Sequence, residues 1–201
     1  MFRTTRPTQE RIAQRVVAAR DIELTSARIL HADADSFLRP PQRGFVFDSS
    51  ASLLGVGGEV FAAARQAFER WEPFNLGWMR VANPEARIAV GEVVAVEVRS
   101  LGLWTVNLSR IVDVVDTAER FGFVYSTTEL HVEQGEERFL LRLEAATGEV
   151  RYELQAVSRP RAALARLGYP VTRAYQRRFA RESHRQMREA VRMQDGNAKR
   201  R

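Results

Sequence analysis

Four side chains that can exchange protons lie within residues 131–137: His131, Glu133, Glu136 and Glu137. A histidine beside carboxylates can act as a general base with an orienting partner. If a strand covers residues 121–132, alternation places Tyr125 on the same face as His131, where the two would share a pocket wall as donor and base. The competing interpretation is a solvated hairpin tip, because Gly135 flanked by glutamates is typical of a turn.

Metal and cofactor chemistry find little support in the residue types. The chain has no cysteine, which excludes disulfides and thiolate ligands. One histidine and several glutamates without ligand spacing are rarely a zinc site. A glycine cluster at residues 55–58 could cradle an anion, but no Lys-Ser or Lys-Thr follows it, so a tight strand-to-helix turn is favoured. We therefore predict no metal and no cofactor.

Two polar residues, Asn107 and Arg110, interrupt a long apolar strand pattern. Arg110 has the parity of the apolar positions 106, 108, 112 and 114, and a buried arginine needs a partner or an anionic ligand. If it points into the concave face of the sheet, it would fix the carboxylate or phosphate of a ligand. The alternatives are a structural ion pair, or an outward position produced by a β-bulge.

These residues require a sheet to position them. Residues 78–157 alternate apolar and polar positions in segments rich in β-branched and aromatic side chains, separated by short turns. Such short connections join antiparallel neighbours. With a strand near residues 45–54 this gives about seven strands. Helices are predicted over residues 7–19, 59–71 and, as the longest, 171–193, and residues 158–167 are predicted as a turn and a short helix after Pro160.

The positive charge is concentrated at the C-terminal end. Residues 173–201 hold 10 basic and 3 acidic side chains, whereas residues 1–172 hold 21 and 22. The arginines of the last helix can form a solvated outer face, or a surface for an acidic partner or an anionic membrane, through Arg173, Arg177, Arg181, Arg185 and Arg188. Nucleic acid is a less favoured partner, because no aromatic RNA-binding pattern or helix-turn-helix is present.

Location follows from what the sequence does not contain. The N-terminal segment has no apolar signal-peptide stretch. The most apolar window, residues 53–68, contains glycines and charges and is too short and polar to span a bilayer. A cytoplasmic location is therefore the expectation.

The order of elements predicts an α+β fold: a curved antiparallel sheet packed on the long C-terminal helix. It resembles the helix-grip architecture of START and Bet v 1-like proteins, which often enclose an apolar cavity between sheet and helix. A closed lipocalin-like β-barrel with flanking helices is the alternative. We expect one domain over residues 1–193, with a helix and loop in 1–43 and the core in 44–193, followed by a polar basic tail over 194–201.

The sequence also resembles the DUF1990 (UPF0548) family over about residues 44–179. The residues that carry the resemblance are Gly55-Val-Gly-Gly, Phe61, Ala64, Trp71, Phe74, Trp78, Gly91, Asn107, Arg110-Ile-Val, Arg120-Phe-Gly-Phe-Val-Tyr, His131, Glu133, Gly135-Glu-Glu, Phe139, Ser158-Arg-Pro and Pro170. No established activity comes with the family name, so the resemblance bears on the fold.

The function favoured by these patterns is binding of a small, largely apolar ligand with an anionic or polar end, held between the sheet and the C-terminal helix. Arg110, Asn107 and Tyr125 would orient the polar end. The apolar part would be lined by Phe121, Phe123, Trp104, Trp78 and Phe179, although aromatic residues at such spacing are also typical of plain core. The alternatives are an acid–base enzyme of the same fold that uses His131 and Tyr125, and a docking module that acts through the arginine-rich helix.

Overall fold

The computed structural model describes residues 3–25, 29–34, 43–129, 131, 133–160 and 169–198. The helices are α1 (Gln9–Ala19), α2 (Gly58–Glu69) and α3 (Tyr169–Ala198), with a short 3-10 turn over Glu72–Phe74. The strands are β1 (Val46–Val56), β2 (Met79–Val81), β3 (Val93–Ser100), β4 (Leu103–Asp116), β5 (Arg120–Thr127), β6 (Glu133–Leu143) and β7 (Glu149–Pro160).

The seven strands form one antiparallel sheet in the order β1-β7-β6-β5-β4-β3-β2, curled around the long C-terminal helix. The predicted helix-grip arrangement is therefore confirmed. In the described part of the chain β1 and β2 are edge strands that do not pair with each other. The sheet is thus a half-barrel, and the closed lipocalin-like alternative is not supported.

The junction between β1 and α2 is the tight turn that its glycines predict. Gly57 precedes the helix with a φ of 99°, a conformation that favours glycine. The N–H of Gly57 donates to the carbonyl of Gly148 at 2.8 Å, which ties the turn to the β6–β7 hairpin. After α2, Pro73 occupies the 3-10 turn, and the chain then enters β2.

Both faces of the sheet are apolar, and each is covered. The inner face packs against α2 and α3 through a core that includes Phe68, Phe123, Phe139, Tyr152 and Met187. The outer face carries two smaller clusters. One packs beneath α1 around Ile12 and Val106, and the other beneath residues 29–34 around Leu30 and Val124. Because apolar positions occupy both parities, alternation alone does not identify the inner face.

The segment predicted as a turn over residues 133–137 is a strand instead. Gly135 lies in the ladder between β6 and β7, opposite Ser158. A Cβ atom at Gly135 would lie 2.1 Å from the carbonyl oxygen of Val157, so this glycine serves close strand packing rather than a turn. The interpretation of the glutamates as a hairpin tip is therefore wrong.

The final helix buries most of the apolar residues that recur along its sequence at helical spacing. Phe179, Met187, Ala190 and Val191 are buried, whereas Val171 is exposed. The turn predicted at residues 158–160 belongs to β7, and the short helix predicted after Pro160 lies outside the described residues. The division of the chain at residues 43 and 193 stays a prediction.

Candidate functional site

A cavity of about 230 Å³ lies between α3 and the inner face of β1, β6 and β7. Its apolar wall comes from Leu154, Ala156, Phe179 and Ala180. Its polar wall comes from Asp48, Ser49, Ser50, Glu137, Arg173, Gln176 and Arg177. An apolar chamber with a few convergent polar groups is the usual form of a small-molecule site.

Glu137 is the carboxylate of this cavity that has no cationic partner among the described residues. The hydroxyl of Tyr125, on the neighbouring strand β5, donates to Oε2 of Glu137 at 2.6 Å. Burial is the largest influence on Glu137 and raises the pKa of its carboxyl to about 7, with further increases from the charges of Glu133 and Asp48. Burial also raises the pKa of Tyr125 well above its ordinary value, so the phenol stays a donor.

The other acidic groups near the cavity are held by α3. Arg173 forms a two-pronged ion pair with Asp48 on β1, and its Nη2 lies 2.6 Å from Oδ1. Gln176 donates to both carboxylate oxygens of Glu133, at 2.9 and 3.0 Å. These contacts fasten the first turns of α3 to the sheet.

Arg177 lies at the mouth of the cavity. Its side chain lines the cavity and is nevertheless exposed to solvent. No carboxylate of the described residues forms an ion pair with it, in contrast to Arg173 one turn earlier. The mouth therefore presents a guanidinium that is available to an anion.

A second polar cluster joins α3 to β1 beside the cavity. Nε2 of His184 lies 2.8 Å from the hydroxyl oxygen of Ser50, and Nδ1 lies 2.9 Å from that of Ser52. The imidazole is 7% exposed and packs on the ring of Tyr152 at 4.7 Å between centroids. Burial lowers the pKa of His184 to about 4, so the ring is neutral at pH 7. The phenol oxygen of Tyr152 lies 2.8 Å from Oγ of Ser183, which satisfies both groups.

Several predicted ligand residues belong to the inner core. Phe121 and Phe123 are buried on β5 and pack against Phe68 of α2. Phe179 packs on Phe74 and lines the cavity. The indole N–H of Trp78 donates to Oε2 of Glu182 at 2.6 Å, which places this ring against α3. A ligand-binding role for any of these side chains stays a prediction.

The structure separates Arg110 from Asn107. Arg110 has the parity of Val106 and Leu108, as predicted, but that parity belongs to the outer core beneath α1. Its guanidinium donates to the carbonyl oxygen of Arg20 at the end of α1. The placement of Arg110 on the concave face is therefore wrong, because the apolar face that it shares is the convex one.

Asn107 and Trp104 lie on opposite faces of the sheet. Asn107 pairs in register with Val96 on the inner face, and its Oδ1 is buried without a hydrogen-bond partner among the described residues. Trp104 lies on the outer face, where the guanidinium groups of Arg6 and Arg99 are 5.3 and 5.7 Å from the ring centre. The indole therefore does not line the cavity between the sheet and α3, in contrast to the prediction from the sequence.

His131 and Tyr125 do not share a strand face. The strand β5 ends at Thr127, so the alternation that linked the two residues stops before His131. His131 lies in the connection to β6, where the N–H of Glu133 donates to its Nδ1 at 3.0 Å. Burial lowers the pKa of His131 to about 4. Tyr125 is instead paired with Glu137, a residue of the same predicted cluster.

Sequence reasoning missed the contributions of β1 and of His184. Asp48, Ser50 and Ser52 occupy alternate positions of β1 and all face α3. Polar residues at every second position of the first strand were therefore the available signal. His184 falls among the apolar residues that recur along the last helix at helical spacing, between Phe179 and Met187. A histidine in such a stripe signals a polar partner across the interface.

The arginine face of α3 is partly compensated. Arg178 pairs with Glu182, and Arg185 lies 3.8 Å from Glu189, each one turn apart. Arg181 is exposed. In the described ranges no helix combines the length and apolarity that a membrane span needs, and no three acidic or histidine side chains converge on a metal position. Docking of an acidic partner on this face stays a prediction.

Comparison with known proteins agrees with this fold. A protein of Thermus thermophilus, TTHA0849, has 12% sequence identity and a TM-score of 0.52, over 73% of this chain and 97% of that chain. The di-domain ARO/CYC StfQ from the steffimycin biosynthetic pathway gives 12% identity and a TM-score of 0.52, over 76% of this chain and 52% of that chain. At this level of identity the likeness concerns the fold alone.

The sequence comparisons identify the family. A UPF0548 protein of Dictyostelium discoideum is 36% identical over 163 residues, 76% of each chain. A UPF0548 protein of Arabidopsis thaliana is 30% identical over 146 residues, 70% of each chain. The family DUF1990, described as a domain of unknown function, matches residues 30–186. The chain therefore belongs to the DUF1990 (UPF0548) family.

Proposed function

We propose that this protein binds a small, largely apolar ligand with an anionic end in the cavity between the sheet and α3. The observation that carries the proposal is the cavity itself, in which an apolar wall, a carboxylate without an ion pair and an exposed guanidinium converge. The size fits a small molecule, because a cavity of about 150 Å³ already holds benzene in another protein. A single ring with a short side chain is the appropriate scale.

The polarity of the cavity sets the orientation of the ligand. The apolar part would contact Phe179, Leu154 and Ala156 in the interior. The anionic end would point to the mouth, where Arg177 is exposed. Arg177 thus takes the role that the sequence suggested for Arg110. Glu137 disfavours an anion in the interior whenever its carboxyl is ionised.

Hydrocinnamate, a phenyl ring with a short carboxylate chain, is a suitable probe. Titration followed by NMR should show saturable shifts of the amides of Ala156, Phe179 and Ala180. Arg177→Gln should weaken binding about tenfold, because it removes a hydrogen bond to a charged group. Arg181→Gln is the matched control, since Arg181 is also exposed on α3 but does not line the cavity. Equal loss of affinity in both variants would show general charge attraction instead.

Occupation of the cavity can be tested independently of the charged end. Ala180→Met places a longer apolar side chain in the cavity wall and should abolish saturable binding of hydrocinnamate. Ala51→Met changes an exposed position of β1 and should leave binding intact. Native mass spectrometry of the freshly purified protein should also reveal a co-purifying small molecule. Binding that survives Ala180→Met with unchanged affinity would contradict the proposed location.

A further inference from the structure

The pairing of Glu137 with Tyr125 has features that ligand binding does not require. Oε2 of Glu137 accepts the hydroxyl proton of Tyr125, and Oε1 has no hydrogen-bond partner among the described residues. Glu137 nevertheless lines the cavity and is not fully buried. One carboxylate oxygen is therefore fixed by the sheet while the other is open to whatever occupies the cavity.

The surrounding groups leave this carboxylate without a counter-ion. The ionisable groups around it are Tyr125, Glu133, Asp48, Tyr152, Arg173 and Arg177. Of the two arginines, Arg173 is held by Asp48, and Arg177 points to the mouth. Burial, with no counter-ion to offset it, raises the pKa of the carboxyl group to about 7, where a group serves equally well as proton acceptor and proton donor.

From this geometry we propose that Glu137 is a catalytic acid–base residue that transfers a proton to and from carbon on the bound molecule. The substrate class is a small carbonyl compound with an apolar body and a C–H bond next to the carbonyl group. Tyr125 is a positioning residue, because it holds Oε2 and so directs Oε1 into the cavity. The inference rests on the proposed function, since the substrate occupies the same cavity.

The step needs no cofactor and balances within the site. Oε1 of Glu137 takes the proton from the carbon next to the carbonyl, and the electron pair of the broken C–H bond forms the C=C bond of an enolate. The negative charge moves to the carbonyl oxygen, where the guanidinium of Arg177, which lines the cavity, can stabilise it. The proton on Oε1 of Glu137 exchanges with solvent, and its return to carbon regenerates the carbonyl compound, so the net result is exchange of hydrogen between that carbon and water.

Deuterium exchange into two probes tests the inference with the full chain. Phenylpyruvate carries both the carbonyl group and an anionic end, and benzylacetone carries the carbonyl group alone. In D₂O the wild type should exchange the protons next to the carbonyl at least about tenfold faster than buffer. Glu137→Gln should reduce the rate to that of buffer. Glu59→Gln, an exposed change in the first turn of α2, should keep the wild-type rate.

Tyr125→Phe distinguishes positioning from a merely structural effect. The hydrogen bond from Tyr125 lowers the pKa of Glu137, so its removal should shift the midpoint of the pH–rate profile upward from about 7. A slower rate with an unchanged midpoint would contradict the assigned role of Tyr125. Circular dichroism of Tyr125→Phe should show a folded protein, because this variant loses only one hydroxyl group.

The failure of this inference differs from the failure of ligand binding. If either probe binds with the amide shifts seen for hydrocinnamate but exchanges no faster than with Glu137→Gln, the catalytic role is overturned and the binding function stands. If neither probe binds while hydrocinnamate does, the named substrate class is wrong. If hydrocinnamate also fails to bind, the binding function itself is overturned.

Discussion

Nε2 of His184 lies 2.8 Å from the hydroxyl oxygen of Ser50, so α3 and β1 meet through a polar contact. Ser52 satisfies the other ring nitrogen from the next inward position of β1. Because a neutral imidazole has one donor and one acceptor nitrogen, the two serines satisfy it completely. Together with the ion pair between Arg173 and Asp48, this contact anchors α3 on the β1 side of the cavity.

Stability should fall in mild acid because of His184. Its folded pKa of about 4 lies below the ordinary 6.5, so between these values the unfolded chain binds more protons. The stabilisation is complete above pH 6.5 and is lost as the pH falls towards 4, by at most about 3 kcal/mol. His131 acts in the same direction. Urea unfolding from pH 4 to pH 7 should show this slope, and His184→Gln should flatten it. A variant with the wild-type slope would contradict the neutral, buried ring.

Glu137 should have the opposite dependence on pH. Its folded pKa of about 7 lies above the ordinary 4.5, so the folded chain binds more protons between these values. The stabilisation is complete below pH 4.5 and is lost as the pH rises through 7. Glu137→Gln, which carries no charge, should therefore exceed the wild type in unfolding free energy by about 2 kcal/mol at pH 8, and match it near pH 4.5. Equal stabilities at pH 8 would indicate a solvated carboxylate.

In our proposal the Glu137→Gln variant gains stability at neutral pH and loses its function. A carboxylate that destabilises the fold at neutral pH is typical of functional sites, where stability and activity compete. Replacement of Glu137 should therefore raise the unfolding free energy while it abolishes proton exchange. Replacement of a residue that forms a structural ion pair would instead lower the unfolding free energy.

Glu136 has a structural role on the opposite face of β6, the strand that also carries Glu137. It is 1% exposed, and its Oε2 accepts the N–H groups of Ile29 and Leu30 at 2.8 and 2.9 Å. Glu136→Gln should cost about 2 kcal/mol, because it weakens two charge-assisted hydrogen bonds in a buried place. Hydrogen exchange of the amides of residues 29 and 30 should accelerate most. Glu119→Gln, in the exposed β4–β5 turn, should change neither quantity.

The contrast between Glu136 and Glu137 shows what the sequence could and could not predict. Alternation and turn residues predicted the order of strands and the final helix, because these depend on local patterns. They placed the glutamates in one predicted turn, however, and so did not show that Glu136 and Glu137 face opposite sides of a strand. Whether this segment forms a turn or a strand depends on its pairing with β5 and β7, which is a long-range property.

Arg110 also shows that local sequence patterns do not reveal which face of the sheet a residue occupies. Its parity with apolar neighbours was correct, yet two apolar faces exist, and α1 covers the one to which Arg110 belongs. The ladder between β4 and β5 also shifts between Ile111 and Asp113, so the parity reverses within β4. A bulge of this kind has no marker in the sequence here, since no glycine or proline accompanies it.

Gly122 should be among the least replaceable residues of the sheet. A Cβ atom there would lie 2.2 Å from the carbonyl oxygen of Phe139 and 2.9 Å from Cα of Leu140, both backbone atoms of β6. Neither can move without breaking the β5–β6 ladder that carries Tyr125 and Glu137. Gly122→Ala should therefore cost at least about 3 kcal/mol in thermal or urea unfolding. Gly58→Ala is the control, because its Cβ would meet nothing within 4 Å at the start of α2, and it should be neutral or stabilise by up to about 1 kcal/mol. If the two variants unfold alike, β5 and β6 are not as closely packed at Gly122 as the structure indicates.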